Sequence, residues 1–209
     1  MKILHLSDTH CLHRDLAELH EADIIVHSGD FTMAGSEAEA YDFMNWFSDL
    51  PHPYKIFIAG NHDFCMYGAN SIEGLPPNVH YLCNSGTVID GIRFYGVPMF
   101  MQDCIAGLYD KYLLDIPCGI DIVITHQPPY GILDFSDYGS GPVCHGDVVL
   151  RKRIFTIKPR LHLFGHEHSC YGIEKCHGIE KCHGMTFSNA AVLDDDYNLI
   201  RAPILLALD

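Results

Sequence analysis

The sequence lacks both a long apolar run and an excess of cationic residues. A transmembrane helix needs roughly 18 consecutive apolar residues, whereas the hydrophobic residues, 48% of the 209-residue chain, are spread in short runs. The formal net charge of −14 opposes attraction to a nucleic-acid backbone. We therefore expect a single domain over residues 1–209, with no membrane span and with no nucleic acid as its partner.

The sequence also lacks any Cys-x-x-Cys spacing, although it contains nine cysteines. An odd number of cysteines in a chain that is not small favours reduced thiols over a disulfide framework. The first apolar run, Ile3-Leu4-His5-Leu6, is too short for the apolar region of a signal peptide and is soon interrupted by Asp8. These features predict a cytoplasmic protein.

Metal-binding residue types follow short apolar runs at five places in the chain. These runs are predicted to be buried strands, and open α/β sheets bind ligands at the carboxyl ends of their strands. A set of oxygen and imidazole ligands without thiolate suits Mn²⁺, Zn²⁺ or iron, and bound metal ions would give an acidic protein the positive charge that a phosphorylated substrate needs. The residues are Asp8 and His10, then Asp30, then Asn61 and His62 followed by Asp63, then His126, and finally His166 and His168.

The remaining pattern predicts helices that alternate with further strands. Ser36 and Glu39 form a capping box ahead of apolar residues at helical spacing, and a Gly/Ser/Asp-rich segment, 131–146, is predicted to be a functional loop. Other helices are expected at 14–21, 103–114 and 147–158, and other strands at 79–83, 87–89, 92–97, 185–188 and 203–208.

A six-residue segment is duplicated in tandem, Ile173–Gly178 and Ile179–Gly184. An even number of inserted residues preserves the side-chain alternation of a hairpin, so the duplication can be structurally silent. Alternatively, its cysteines and histidines bind a soft metal, although their spacing matches no zinc motif. These residues are Cys176, His177, Cys182 and His183.

Four other histidines have less specific interpretations. His145 lies in the glycine-rich loop, where it either contacts substrate or is simply solvated. His5, His27 and His162 lie within predicted strands. We expect these three to be core residues or to support the ligands rather than to bind metal.

Taken together and in order, the motifs resemble those of the calcineurin-like metallophosphoesterase family, and most closely its small single-domain branch of metallophosphoesterase-domain-containing proteins. The resemblance implies a four-layer α/β/β/α sandwich with two mixed sheets flanked by helices. It also implies one metal on Asp8, His10, Asp30 and His168, and a second on Asp30, Asn61, His126 and His166. The motifs are Asp-x-His, Gly-Asp, Gly-Asn-His-Asp, Thr-His-Gln-Pro-Pro and Gly-His-Glu-His.

The resemblance further implies two divalent metal ions, Mn²⁺ first, with iron, Zn²⁺ and Mg²⁺ as alternatives. A metal-bridging hydroxide would attack a small phosphate ester in line, while His62 stabilises the transition state or protonates the leaving oxygen and Asp63 orients the His62 ring. A diester, including a cyclic nucleotide, is favoured. The alternatives are a phosphomonoesterase of the same mechanism, a metal-holding scaffold with little catalysis, and a nuclease with protein partners, which the acidic charge disfavours.

Overall fold

The computed structural model describes residues 1–17, 19–136, 141, 143–175 and 184–208. Within these residues, eleven strands form the two main sheets, and two more form a small antiparallel sheet within the glycine-rich loop. In chain order the strands are β1 (Lys2–Leu6), β2 (Ile24–His27), β3 (Tyr54–Phe57), β4 (Val79–Tyr81), β5 (Ser85–Ile89), β6 (Ile92–Val97), β7 (Ile122–Thr125), β8 (Phe135–Ser136), β9 (Val143–Cys144), β10 (Leu161–Phe164), β11 (Gly172–Lys175), β12 (Thr186–Asn189) and β13 (Ile204–Ala207). The helices are α1 (Glu37–Asp49), α2 (Met101–Ala106), α3 (Tyr109–Asp115) and α4 (Val148–Ile157).

Both main sheets are mixed, with parallel strands at the centre. The first has the order β13-β1-β2-β3-β4, in which only β13 runs antiparallel to its neighbour. The second has the order β11-β12-β10-β7-β6-β5, in which the pairs within β12-β10-β7-β6 are parallel. The central strands β2 and β7 are fully buried and mostly apolar because they are covered on both faces.

Three apolar clusters pack between the four layers of the fold, which are helix, sheet, sheet and helix. One packs α1 against the first sheet through Phe43 and Phe47. The second lies between the sheets, where Ile56 of the first and Ile124 of the second belong to the same cluster. The third packs α3 and α4 against the second sheet, for example through Leu150. The predicted α/β sandwich of two mixed sheets flanked by helices is confirmed.

Most predicted elements are present, and the differences have physical causes. The helix that begins after Ser36 has the capping box that the sequence predicts. Over its described residues, 14–17 and 19–21, the segment 14–21 has no α-helix, and a short 3₁₀ turn, His13–Asp15, lies at its start. The turn ends at Leu16, whose ψ of 135° is extended rather than helical. The predicted helix over 103–114 is split into α2 and α3 at Gly107, whose φ of 70° ends the first of them.

Among the described residues, no helix is both long enough and apolar enough to cross a membrane. Only Ile173–Lys175 and Gly184 of the tandem duplication belong to the described part of the chain. Ile173–Lys175 lies in β11. The candidate soft-metal ligands Cys176, His177, Cys182 and His183 lie outside the described residues.

Candidate metal centre

The five polar segments that follow the apolar strands meet at one place. β1, β2 and β3 are parallel neighbours in the first sheet, and β7 and β10 are parallel neighbours in the second, so their carboxyl ends lie at a common edge. Main-chain hydrogen bonds connect the two edges. The N–H of Ser7 donates to the Ala190 carbonyl, and the N–H of Met99 donates to the Ala59 carbonyl. The fold thus gathers residues that are far apart in the sequence.

Three overlapping groups of side chains could hold metal ions. In each group the potential ligand atoms lie within 4.8 Å of one another. The groups are Asp8 with His10 and His168, His10 with Asp30 and His62, and Asp30 with His126 and His166. Asp30 belongs to two groups, and so does His10, which is the arrangement that two adjacent ions with a shared carboxylate require.

The distances place Asp30 between the two expected ligand sets. Its Oδ2 atom lies 3.2 Å from His126 Nε2 and 3.8 Å from His10 Nε2. Asn61 Oδ1 lies 3.0 Å from the same His126 nitrogen, and His168 Nε2 lies 3.5 Å from Asp8 Oδ1. The structure therefore brings the seven predicted ligands together in one cluster, and their division between two metal ions stays a prediction.

Three of the four candidate histidines are oriented by main-chain carbonyl groups. The Nδ1 atom of His10 bonds to the Thr32 carbonyl, and that of His126 to the Ser28 carbonyl. His168 Nδ1 bonds to the Asp194 carbonyl. An imidazole that donates from Nδ1 has its Nε2 lone pair available for a metal, and these are the Nε2 atoms that face the carboxylates. The donor set fits a pair of divalent cations.

The electrostatics of the cluster also favour a cation. Burial disfavours the charged form of His126, yet the Asp30 carboxylate raises its pKa to about 10. Burial likewise opposes protonation of His168, but its hydrogen bond to Asp8 raises the pKa to about 9. Burial, with the charge of His126, lowers the pKa of His166 to about 4. Positive charge nearby therefore stabilises the buried carboxylates. Bound metal ions would supply this charge and displace the protons of His126 and His168.

Two glycines leave room for the carboxylates. A Cβ atom on Gly60 would lie 2.2 Å from Asp30 Oδ1, and one on Gly165 would lie 2.1 Å from Asp8 Oδ2. The backbone is also strained here, since four candidate ligands have positive φ. These are Asp8, His10, Asp30 and His166. Most other non-glycine residues would adopt these turns less easily than aspartate and histidine.

His62 lies at the edge of the cluster, with its ring centroid 4.6 Å from that of His10. Its Nδ1 atom bonds to the Met33 carbonyl at 2.9 Å, which sets the orientation of the ring. The prediction that Asp63 orients this ring is wrong. Both Asp63 oxygens accept from other donors, among them the N–H groups of Asp30 and Thr32.

Asp63 instead fixes the backbone that carries Asp30. Its carboxylate is fully buried and accepts from the main-chain N–H groups of Asp30, Phe31, Thr32 and Gly60, and from the Thr32 hydroxyl. The Thr32 carbonyl in turn orients His10. Asp63 is therefore a positioning residue, which ties the turn after β3 to the turn after β2.

Asp63→Ala should destabilise the protein by about 3 kcal/mol, since it leaves several buried donors without an acceptor. Urea denaturation with a chelator present would measure this separately from metal binding. Asp49→Ala is a matched control, because Asp49 is an exposed aspartate at the end of α1, and surface substitutions usually change stability by about 0.5 kcal/mol or less. Equal effects of the two substitutions would contradict the role given to Asp63.

The four other histidines considered from the sequence differ in their surroundings. His5, His27 and His162 are buried and bond to serine or threonine hydroxyls, such as Ser28 for His5. Burial lowers the pKa of each to about 3, so they are neutral supports, as expected. His145 lies in the glycine-rich loop and its carbonyl accepts from Gln127; a contact between its ring and substrate stays a prediction.

The structure also contains contributors that the sequence did not indicate. Thr32 and Asp194 orient candidate ligand histidines through their carbonyl groups, and Tyr197 packs against His10 and His168. A carbonyl group is common to every residue, so no sequence signal could have identified the first two. The run Asp194-Asp195-Asp196-Tyr197-Asn198 carries a turn signal, but nothing in it points to this site.

Comparison with known proteins agrees with the geometry. The family model for calcineurin-like phosphoesterases matches residues 1–170, a span that includes all seven candidate ligands. The human metallophosphoesterase domain-containing protein 1 is 33% identical over 236 aligned residues, which cover 97% of this chain and 69% of that protein. A UPF0046 protein from Caenorhabditis elegans is 32% identical, with 96% of this chain and 78% of that protein covered.

A solved crystal structure has a similar fold, with a TM-score of 0.57 and 14% identity over 91% of this chain and 90% of that chain. The likeness to that structure concerns the fold alone. The sequence match, by contrast, covers most of the chain and each of the five segments that form the centre. The enzymes of this family have dinuclear metal centres, and this chain belongs to the calcineurin-like phosphoesterase family.

Proposed function

We propose that the protein is a phosphodiesterase that uses two divalent metal ions, Mn²⁺ in the first instance, to hydrolyse a small phosphate ester. The observation that carries the proposal is the set of overlapping ligand groups around Asp30. Adjacent divalent ions activate water and stabilise the attacking and leaving oxygens of a displacement at phosphorus. The preference for a diester rests on the branch of the family that the sequence resembles, and a monoester is the alternative.

The residues of the chain have separate tasks in this proposal. Asp8, His10, Asp30 and His168 hold one ion, and the second ion is held by Asp30 with Asn61, His126 and His166. The Nδ1–H of His62 donates to the Met33 carbonyl, so its Nε2 can protonate the leaving oxygen only when the ring is the imidazolium, with a proton on both nitrogens. Asp63 keeps Asp30 in place.

The same proposal makes the substrate a small ester rather than a nucleic acid, because a net charge of −14 repels a polyanion. It places the reaction in the cytoplasm. The seven cysteines of the described residues are free thiols, which suits a reducing compartment.

A direct assay tests the proposed activity. Purified protein loaded with Mn²⁺ should hydrolyse bis-p-nitrophenyl phosphate with a higher kcat/KM than p-nitrophenyl phosphate, and a chelator should remove both activities. A higher kcat/KM for the monoester would reverse the diester preference without affecting the mechanism. No metal-dependent turnover on either ester, or on a wider set of phosphoesters, would refute the proposal.

A further inference from the structure

Tyr197 lies against the candidate centre but outside residues 1–170, to which the family model matches. Its ring centroid is 4.9 Å from that of His10 and 5.3 Å from that of His168, at interplanar angles of 72° and 69°. The residue is nevertheless 41% exposed. The ring therefore contacts two candidate metal ligands, while part of the residue remains open to solvent.

The backbone fixes Tyr197 relative to the centre. The Asp194 carbonyl accepts both the main-chain N–H of Tyr197, at 3.0 Å, and Nδ1 of His168, at 2.9 Å. The Asp194 side chain closes the same turn by accepting the N–H groups of Asp196 and Asn198. A single carbonyl oxygen thus sets the position of a candidate ligand and of the exposed ring beside it.

The conformation of Tyr197 is unusual for a bulky side chain. Its φ of 61° lies in the left-handed region, which asparagine and glycine adopt more readily. Strained residues concentrate at functional sites when the surrounding structure holds them in place. The strain here suggests that the ring itself has a role, because the turn alone would form more easily with asparagine.

We propose that Tyr197 is a substrate-specificity residue, whose ring packs against an aromatic substituent of the ester bound at the metal centre. This inference rests on the proposed function and deepens it. His62 also contacts His10, with a centroid distance of 4.6 Å, so the His10 ring has His62 and Tyr197 as neighbours. A bound phosphoryl group would then have the proton donor and an aromatic surface within reach.

The test compares two phosphonates that cannot be hydrolysed, phenylphosphonate and methylphosphonate, by calorimetric titration of the Mn²⁺-loaded protein. The wild type should bind the phenyl compound about fivefold more tightly or better, the size expected of an aromatic pair. Tyr197→Asn, which suits the left-handed backbone, should bring the ratio of the two Kd values close to one. Tyr197→Phe should keep the wild-type ratio, and so should Tyr41→Ala, which removes an exposed tyrosine of α1.

The other outcomes are equally decisive. No preference for the phenyl compound in the wild type, or a preference that survives in Tyr197→Asn, would overturn the inference. An equal loss of affinity for both phosphonates, or a loss of bound Mn²⁺, would show that Tyr197 only supports the ligands. If the preference disappears as expected but the wild type hydrolyses no phosphoester, the specificity role holds and the proposed reaction fails.

Discussion

Asp30→Ala should remove metal from both positions and reduce turnover about 10³-fold or more, because metal ions contribute several kcal/mol of transition-state stabilisation. The reason is geometric. Its Oδ2 atom lies within 4 Å of both His126 Nε2 and His10 Nε2, so the loss of this one carboxylate weakens both ligand sets. Its Oδ1 atom also accepts the N–H of His62, so the turn after β3 would lose an anchor as well.

Metal content after dialysis, measured by mass spectrometry, is the direct readout for Asp30→Ala, with circular dichroism to show that the fold is kept. Asp30→Asn provides a second variant with nearly the same shape and without the charge. Asp49→Ala, at an exposed site at the end of α1, should retain two ions per chain and full activity. Two ions in Asp30→Ala would show that Asp30 does not bridge them.

His62→Ala should keep both ions and lose turnover by about 10²- to 10⁴-fold, the range for loss of a general acid. The ring is only partly buried, and its support comes from the Met33 carbonyl rather than from a carboxylate, so the substitution disturbs little of the structure. The loss should be greater for an ester with an alkoxide leaving group than for a p-nitrophenyl ester, whose leaving oxygen needs little protonation.

The competing role for His62 is as a ligand, since its ring nitrogen belongs to the group with His10 and Asp30. Metal analysis of His62→Ala separates the two roles. His80→Ala, which changes a partly buried histidine of β4, is a control that should affect neither metal content nor turnover. A loss of one ion in His62→Ala, with equal losses of activity for both kinds of leaving group, would make His62 a ligand.

The local part of this site could be predicted from the sequence, because a buried strand is visible as an apolar run and the residues after it are then at a known edge of the sheet. Asp8, Asp30 and His126 each follow such a run. The same reasoning identified α1 from its capping box. Which side chains follow a strand depends only on the neighbouring residues, which are read directly from the sequence.

Long-range contacts account for what sequence reasoning missed. The sequence predicts that Asp63 orients its neighbour His62, but its hydrogen bonds reach Asp30 and Thr32, more than 30 residues earlier. The segment 14–21 has a helical pattern, yet the side chain of its first residue, Arg14, bonds to Asp42 of α1. Tyr197 reaches the centre only because the chain after β12 turns back towards His168. Each of these contacts joins residues far apart in the sequence, which a local sequence pattern does not show.

The meeting of two sheets at the metal centre has a consequence for the lifetime of the folded chain. Asp8 and the N–H of His166, which bond to each other, are 158 residues apart in the sequence. Ions that bind only when the sheets are docked favour the docked state by mass action, by about 4 kcal/mol at a thousandfold excess over Kd. Bound metal ions would thus hold the two sheets together reversibly. A shortage of metal would expose the chain to proteolysis as well as abolish its activity.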